Sequence, residues 1–393
     1  MKVAVCISGQ MRTFRRVSNS LMANLVKPLG ADVFVHTWRE TGNTNKLILS
    51  LPKGFHLALP QSFWHDNPDI LTSQPSLFQI ILPNMYGELQ AIADTKLQVT
   101  EDELKERYQP VSYCIEDFND DMFNRLFDIP RLRQLAFNTT IFNAPPMFYK
   151  IYACDELRKE YEKKQRCKYD IVIRTRPDLL FYAPIHFDLS KVRNHLFTLY
   201  NPFYDALGCA DLSNDMFFMG DSDTMSYATS IWRDLPRIWN PDVLLEWPFA
   251  ERGPERALHY HLARRDLHRD VLKIEPAPAR VVGQVGYERM LELVQKDLTQ
   301  IGTLPEFVKL CVSVCQSIYA VDAHFSGEEE LASRILANAV EMNGVQFPEP
   351  FIGRAKIAAL KGHHDTMSTC FLAAKQIGQE VAYPELGIGP VLG

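Results

Sequence analysis

The spacing of apolar and polar positions at the start of the chain predicts two strands joined by a helix. Residues 3–7 form a continuous apolar run that ends at Ser8, and residues 31–38 form a second run. Between them, residues 14–25 have the apolar spacing of a helix that ends before Gly30. Strand, helix and strand in this order join parallel neighbours of one sheet. We therefore expect an α/β fold.

Later in the chain, apolar runs predict more strands and amphipathic runs predict more helices. The predicted strands are 169–174 and 216–219, and the predicted helices begin near residues 101, 146 and 254. Elsewhere between 40 and 140 the pattern is irregular, which favours long loops over the sheet. The charge run at 158–168 mixes acidic and basic residues, so we expect a solvated helix face rather than a surface for nucleic acid.

The pattern changes again near residue 285, where strand signals end and a series of helical segments begins. We expect a sheet-containing domain at 1–285 and a small all-α domain at 286–393. The apolar helix faces at 310–318 and 331–340 must be buried. Docking onto the first domain and self-association into a homo-oligomer both remain open.

The composition narrows the class of protein. Of 393 residues, 46% are hydrophobic and 23% are charged, which excludes wholesale disorder. The formal net charge of -6 offers no broad surface for nucleic acid, so an anionic ligand needs a local site. The eight cysteines lie mostly in apolar runs, where we expect reduced thiols. Without a signal pattern or an apolar stretch of roughly 18 residues, the chain is expected to be cytoplasmic.

Polar residues follow the first predicted strand. Ser8, Gly9 and Gln10 lead into the helix, and Arg12 lies close behind them. A small residue allows close approach to the backbone, a helix start supplies N–H groups, and an arginine suits an anion. The turn matches neither the dinucleotide fingerprint nor the P-loop, so dehydrogenases and NTPases lose their usual support. It suits a nucleotide, and a plain strand-to-helix turn is the alternative.

A second polar group follows the strand at 169–174. Arg174, Arg176 and Asp178 place two guanidinium groups beside one carboxylate. This combination suits a diphosphate together with a divalent cation that takes oxygen ligands. A structural pair of arginine and aspartate closing the strand is the alternative.

Four further acidic residues lie at element boundaries. Asp215 precedes the strand at 216–219, and Glu255 lies at a helix start, where the helix dipole stabilises an anion. Either carboxylate is a candidate general base, and local capping is the alternative. The D-x-D formed by Asp221 and Asp223 lies in a turn-like context, so we expect it to be a loop and capping cluster.

Taken in order, these segments resemble a GT-A-type glycosyltransferase. The opening CISGQMR and the later YDIVIRTRPD are similar to nucleotide-sugar transferases of bacterial and viral surface-glycan pathways. The resemblance covers about the first 285 residues. It implies a GT-A-like, Rossmann-type mixed sheet flanked by helices.

The resemblance also implies a role for each polar group: nucleotide contact, binding of the diphosphate and its metal, and acceptor-side catalysis. Nucleotide contact is implied for Ser8, Gly9, Gln10 and Arg12. Binding of the diphosphate and its metal is implied for Arg174, Arg176 and Asp178, with Asp178 as the ligand of Mn²⁺ or Mg²⁺. Acceptor-side catalysis is implied for Glu255 or Asp215. One departure stands out, because Arg-Pro-Asp replaces the usual Asp-x-Asp and leaves one metal carboxylate instead of two. Metal-assisted and metal-free reactions both remain open, since an arginine pair can itself neutralise a leaving diphosphate.

From these implied roles we expect a glycosyltransferase that moves a hexosyl or deoxyhexosyl group. The donor would be a nucleoside-diphosphate sugar, and the acceptor a hydroxyl of a glycan or glycoconjugate. The alternative is a non-catalytic module that binds a nucleotide or glycan and docks a partner through its helical tail.

Overall fold

The computed structural model describes most of the first 278 residues and parts of the remainder. The described ranges are 1–42, 97–135, 140–181, 184–185, 192–199, 214–245, 254–265, 267–272, 277–278 and 328–343, with a few shorter segments in 83–91 and 289–373. The chain divides into two compact units, Met1–Gly42 with Leu97–Ala277, and Asn43–Lys96 with Pro278–Gly393. This division groups 43–96 with the C-terminal part, whereas the sequence suggested a single boundary near 285. The independence of the domains 1–285 and 286–393 stays a prediction.

A seven-stranded sheet forms the centre of the first unit. Its strands are β1 (Val3–Gly9), β2 (Asp32–Trp38), β3 (Ser112–Glu116), β4 (Ile171–Thr175), β6 (His195–Leu199), β7 (Phe217–Gly220) and β8 (His268–Leu272); the short β5 (Leu179–Leu180) and β9 (Ala277–Pro278) lie outside it. The order across the sheet is β3-β2-β1-β4-β7-β6-β8. Strand β7 runs antiparallel to both of its neighbours, and the other pairs are parallel. The predicted α/β class with a mixed sheet is confirmed.

Helices cover both faces of this sheet. They are α1 (Phe14–Leu21), which continues through a π-helical segment (Met22–Val26) and a last turn (Lys27–Leu29), α2 (Glu101–Tyr108), α3 (Asp120–Leu126), α4 (Ile129–Leu135), α5 (Thr140–Gln165), α6 (Ser222–Thr229), α7 (Ile231–Ile238), α8 (Pro241–Leu245) and α9 (Pro254–Leu262). One apolar core contains Phe34 of β2 and Phe148 of α5, and the other contains Val35 of β2 and Phe14 of α1. Because both faces are buried, the central strands consist of nearly continuous apolar runs.

The strand order reverses at β1 and β4. The chain passes from β1 outward to β2 and β3, and then returns to β4 on the other side of β1. Open α/β sheets bind ligands where the strand order reverses in this way. The register pairs Cys6 with Arg174 and Ile7 with Thr175. Residues that follow β1 and β4 therefore lie side by side.

Some elements differ from the sequence-based expectation. In the region 97–135 the predicted helix near residue 101 is confirmed as α2, but β3, α3 and α4 lie where long loops were expected, and β6 and β8 were not predicted. The sequences of β3 and β8 lack apolar runs because both are edge strands, with β3 half-buried and β8 mostly exposed. In the second unit, α10 (Glu329–Asn343) confirms one predicted helix. The other C-terminal segments lie mostly outside the described residues.

The charge run that ends α5 is only partly the solvated face that its composition suggested. Arg158 is fully buried; it donates a hydrogen bond of 2.8 Å to Asp155 and lies 2.8 Å from a carboxylate oxygen of Glu162. The expectation of solvation is wrong at this residue, because two acidic neighbours on the same helix face neutralise it. The capping expectation for Asp221 is confirmed, since its Oδ1 accepts a 2.7 Å hydrogen bond from the Thr224 N–H at the start of α6.

Candidate functional site

Asp178 is the centre of an ion cluster beside the carboxyl ends of β1 and β4. Its side chain is 1% exposed. Arg176 donates two hydrogen bonds to it, from Nε to Oδ1 at 2.8 Å and from Nη2 to Oδ2 at 2.6 Å, and Arg12 donates from Nη1 to Oδ2 at 3.2 Å. Burial alone would raise the pKa of Asp178, but the two guanidinium groups outweigh burial and hold the pKa well below its usual value. The carboxylate is therefore ionised, and both of its oxygens have partners.

The two arginines that hold Asp178 retain access to solvent. The side chains of Arg12 and Arg176 are 20% and 19% exposed. A guanidinium carries five N–H donors. Among the described residues, neither Arg12 nor Arg176 has a hydrogen-bond acceptor for every one of its donors. Burial lowers the pKa of Arg12; it also acts to lower that of Arg176, but Asp178, Asp215 and Glu255 raise the latter above its usual value. Two partly exposed guanidinium groups therefore lie beside one buried carboxylate.

Arg174 forms the buried base of the cluster. It donates from Nε to Ser8 Oγ at 3.2 Å and from Nη2 to the Ser8 carbonyl at 3.4 Å, and its Nη1 donates to the carbonyl of Asp215. Burial lowers the pKa of Arg174 to about 10, so the group stays charged at neutral pH. Since Ser8 and Arg174 are both buried, the structure gives them a positioning role. Direct contact between either residue and a nucleotide stays a prediction.

The turn after β1 adopts left-handed backbone conformations. Gly9 has φ +124°, although a Cβ at this position would lie 4.0 Å from its nearest neighbour, Pro177 Cδ. The need for glycine at position 9 is therefore conformational rather than steric. Arg12 has φ 41°, and its N–H donates to the carbonyl of Thr41 at 2.6 Å. Non-glycine residues in this region are strained by roughly 1–3 kcal/mol and often occur at functional sites.

Gln10 packs tightly against Gly42, next to this turn. A Cβ at Gly42, which has φ +82°, would lie 2.5 Å from Gln10 Cδ. The side-chain oxygen of Gln10 also accepts a hydrogen bond of 3.4 Å from Arg12 Nε. Gln10 thus orients the same guanidinium that contacts Asp178.

The two candidate bases lie in the electrostatic field of the cluster. Asp215 is buried, and its negative charge acts to raise the pKa of Arg12, Arg174 and Arg176. At Arg12 and Arg174 this contribution is outweighed by burial. Glu255 lies in the first turn of α9, is half-buried, and also raises the pKa of Arg176. Residues that the sequence placed after β1, after β4, before β7 and at the start of α9 are therefore brought to one edge of the sheet. Their roles in binding and catalysis stay predictions.

The surroundings of Asp178 do not fit a divalent cation. Both carboxylate oxygens accept hydrogen bonds from guanidinium groups, and Arg174 adds a third positive charge nearby. Among the described residues, one set of three metal-ligating side chains has its ligand atoms within 4.8 Å of one another, and it consists of His36, Cys114 and Glu116. None of the predicted site residues belongs to that set.

This second polar cluster, on β2, β3 and α5, was missed by sequence reasoning. Glu116 Oε2 accepts a 2.6 Å hydrogen bond from Lys150 Nζ, and Lys150 is fully buried with its ammonium 3.4 Å from the centre of the Trp38 ring. Burial lowers the pKa of Lys150 to about 8, and burial together with Lys150 lowers that of His36 to about 4. To find this cluster from the sequence, β3 would first have to be recognised as a strand, because the pairing of β3 with β2 brings Cys114 beside His36.

No protein-family model matches this sequence, and no curated protein matches it either. Within the described residues, no helix has the length and apolar character that crossing a bilayer requires.

Proposed function

We propose that the chain is a glycosyltransferase that uses a nucleoside-diphosphate sugar. The observation that carries the proposal is the pair of partly exposed guanidinium groups, Arg12 and Arg176, at the point where the strand order reverses. Arginine binds phosphate oxygens through two parallel N–H donors, and a diphosphate offers such oxygens on two adjacent phosphates. A local cationic site also suits an anionic donor in a chain whose net charge is -6.

The acceptor side of the proposal depends on a carboxylate. Transfer requires that an acceptor hydroxyl attack the anomeric carbon and lose its proton to a base. Glu255 at the start of α9 and Asp215 before β7 both act electrostatically on Arg176. A base in this position serves an acceptor that approaches a sugar whose diphosphate lies on the arginines. The GT-A-like identity of the sheet is part of the same proposal, supported by strand order and by the resemblance of the first 285 residues.

Release of nucleoside diphosphate from a panel of sugar donors, with and without glycan acceptors, tests the proposal. We expect one donor to be turned over. Glu255→Gln should keep the affinity for nucleoside diphosphate and lower turnover by roughly two to four orders of magnitude, because positioned proton transfer contributes about that much. Asp215→Asn tests the other candidate base in the same way.

Asp223→Asn provides a matched control. Asp223 is the second residue of α6, as Glu255 is of α9, and it pairs with Lys168. Its replacement removes a helix-start anion, worth about 1 kcal/mol or less, without touching the cluster. Binding of nucleoside diphosphate without turnover of any donor would support the alternative of a binding module. Failure to bind any nucleoside diphosphate would contradict the glycosyltransferase and the nucleotide-binding form of the alternative.

A further inference from the structure

We infer that the diphosphate of the donor is neutralised by Arg12 and Arg176 without a divalent cation, and that Asp178 is the positioning residue that holds these two arginines. The inference rests on the proposed function and concerns how the same site handles negative charge. It replaces the role of metal ligand that the resemblance implied for Asp178.

The first step is that both oxygens of Asp178 already accept hydrogen bonds from guanidinium groups. Its Oδ1 accepts from Arg176 at 2.8 Å, and its Oδ2 accepts from Arg176 at 2.6 Å and from Arg12 at 3.2 Å. A cation at either oxygen would lie beside a guanidinium that already donates to that oxygen, at a carboxylate that is 1% exposed. The buried Arg174 adds to the repulsion that an incoming positive charge would meet.

The second step is that the hydrogen bonds to Asp178 place the two guanidinium groups side by side. One nitrogen from each arginine shares the same oxygen, Oδ2. Both side chains are partly exposed, 20% for Arg12 and 19% for Arg176. Two adjacent cations that reach solvent match the two adjacent phosphates of a diphosphate, and the shared carboxylate reduces the repulsion between them.

The third step concerns the reaction. The acceptor oxygen forms a bond to the anomeric carbon while the bond from that carbon to the diphosphate oxygen breaks. The electron pair of the broken bond stays on the diphosphate, and the hydroxyl proton passes to Glu255 or Asp215. Negative charge thus develops on the leaving diphosphate, where fixed cations stabilise it without reorganising. The buried Asp178 keeps those cations fixed before the ligand arrives.

Isothermal titration calorimetry of the full chain with UDP, GDP, ADP and dTDP tests the inference. For the nucleotide that binds, we expect Kd in EDTA to lie within about threefold of Kd in Mn²⁺ or Mg²⁺, and donor turnover to persist in EDTA. Binding that requires Mn²⁺ or Mg²⁺ would overturn the inference and leave the proposed function standing. Absence of binding under every condition would overturn the proposed function as well.

Arginine-to-lysine variants test the donors themselves. Arg12→Lys and Arg176→Lys keep the charge but lose the forked geometry, so each should weaken nucleotide binding in EDTA at least tenfold. Arg39→Lys is the matched control, because Arg39 forms an exposed 2.8 Å pair with Asp117 outside the cluster. Unchanged affinity in both cluster variants would contradict the inference.

Asp178→Asn separates positioning from metal binding. We expect weaker nucleotide binding by the same factor in EDTA and in Mn²⁺, because the loss concerns the arginines. A loss seen only in Mn²⁺ would identify Asp178 as a metal ligand. If this variant does not fold, electron paramagnetic resonance of Mn²⁺ mixed with the unaltered chain gives the same decision: immobilised Mn²⁺ that UDP or GDP binding strengthens would overturn the inference, and freely tumbling Mn²⁺ would support it.

Discussion

Two ion clusters lie at the same edge of the sheet, and each pairs a cation with a carboxylate. They differ in which charge is buried. At the β1 and β4 ends, the carboxylate of Asp178 is buried and the arginines around it reach solvent. At the β2 and β3 ends the order is reversed, because Lys150 is fully buried and Glu116 is 32% exposed. Each cluster contains a hydrogen bond of 2.6 Å between a cation and a carboxylate. The charge left at the surface, rather than the pair itself, decides which ligand a cluster suits.

The choice of cation follows the same division. Lysine changes its pKa readily when buried, and that of Lys150 falls to about 8. Arginine stays charged even in the fully buried position of Arg174. Arginine therefore suits a site that must neutralise an anion, because it keeps its charge. Lysine is sufficient where a buried cation only pairs with a carboxylate. Under the proposed function, the first cluster binds the ligand and the second serves packing.

Removing the sealed carboxylate should have the largest effect. From the sequence alone, a carboxylate at a strand end is expected to be removable at little cost. Because Asp178 is buried and holds two guanidinium groups, Asp178→Ala should instead lower the free energy of unfolding by about 3–5 kcal/mol. Glu116→Ala should cost less, because Glu116 is partly solvated and Lys150 can lose its proton. Urea unfolding of the two variants compares these costs, and equal losses would contradict the contrast between the clusters.

Exchanging each cation for methionine should separate binding from stability. Arg176→Met should weaken binding of nucleoside diphosphate at least tenfold, equivalent to about 1.4 kcal/mol. Lys150→Met should leave that affinity within about twofold, because Lys150 has no exposed surface. Calorimetry on both variants, after their folding has been checked by circular dichroism, gives the comparison. An equal loss of binding in Lys150→Met would mean that the two clusters form a single site.

The smallest expected effect is a pH dependence from the second cluster. The pKa of His36 is about 4 in the folded chain and near 6.5 when unfolded, so the unfolded state binds more protons between these values. Stability due to neutral His36 is therefore fully present above pH 6.5 and is lost as the pH falls toward 4. Between pH 7 and pH 5.5 the loss should be about 1 kcal/mol.

Urea midpoints at the two pH values measure this loss, and His36→Gln should remove that part of it. Asp178 and Glu116, whose pKa values are lowered, lose their protons below this range and contribute little to it. A pH dependence unchanged in His36→Gln would assign the effect to other groups.

The sequence predicted four of the inner strands and missed both edge strands, together with the inner strand β6. Strands β1, β2, β4 and β7 have apolar runs because helices cover both faces of the central sheet. Edge strands β3 and β8 carry polar and half-exposed residues, and their sequences do not differ visibly from loops. The second ion cluster was missed for the same reason, since Cys114 and Glu116 lie on β3.

The sequence placed the candidate residues at strand ends, because strand ends can be read from apolar runs. The hydrogen bonds between these residues could not be predicted. That Asp178 accepts hydrogen bonds from both Arg12 and Arg176 depends on a left-handed backbone at Arg12 and on the neighbouring positions of β1 and β4. A contact across 166 residues leaves no local trace in the sequence. The sequence therefore named the residues but left the role of the carboxylate open.

Arg174 has a consequence for the order in which the molecule assembles. Its guanidinium joins Ser8, which lies 166 residues earlier in the chain, to Asp215, which lies 41 residues later. Contacts of such long sequence separation form late in folding, after the loops between them have closed. Loss of β1, of β4 or of the segment before β7 would release this side chain and the charges arranged around it. An anion held by the cluster therefore binds only the completed sheet, and by mass action it protects three distant parts of the chain against unfolding together.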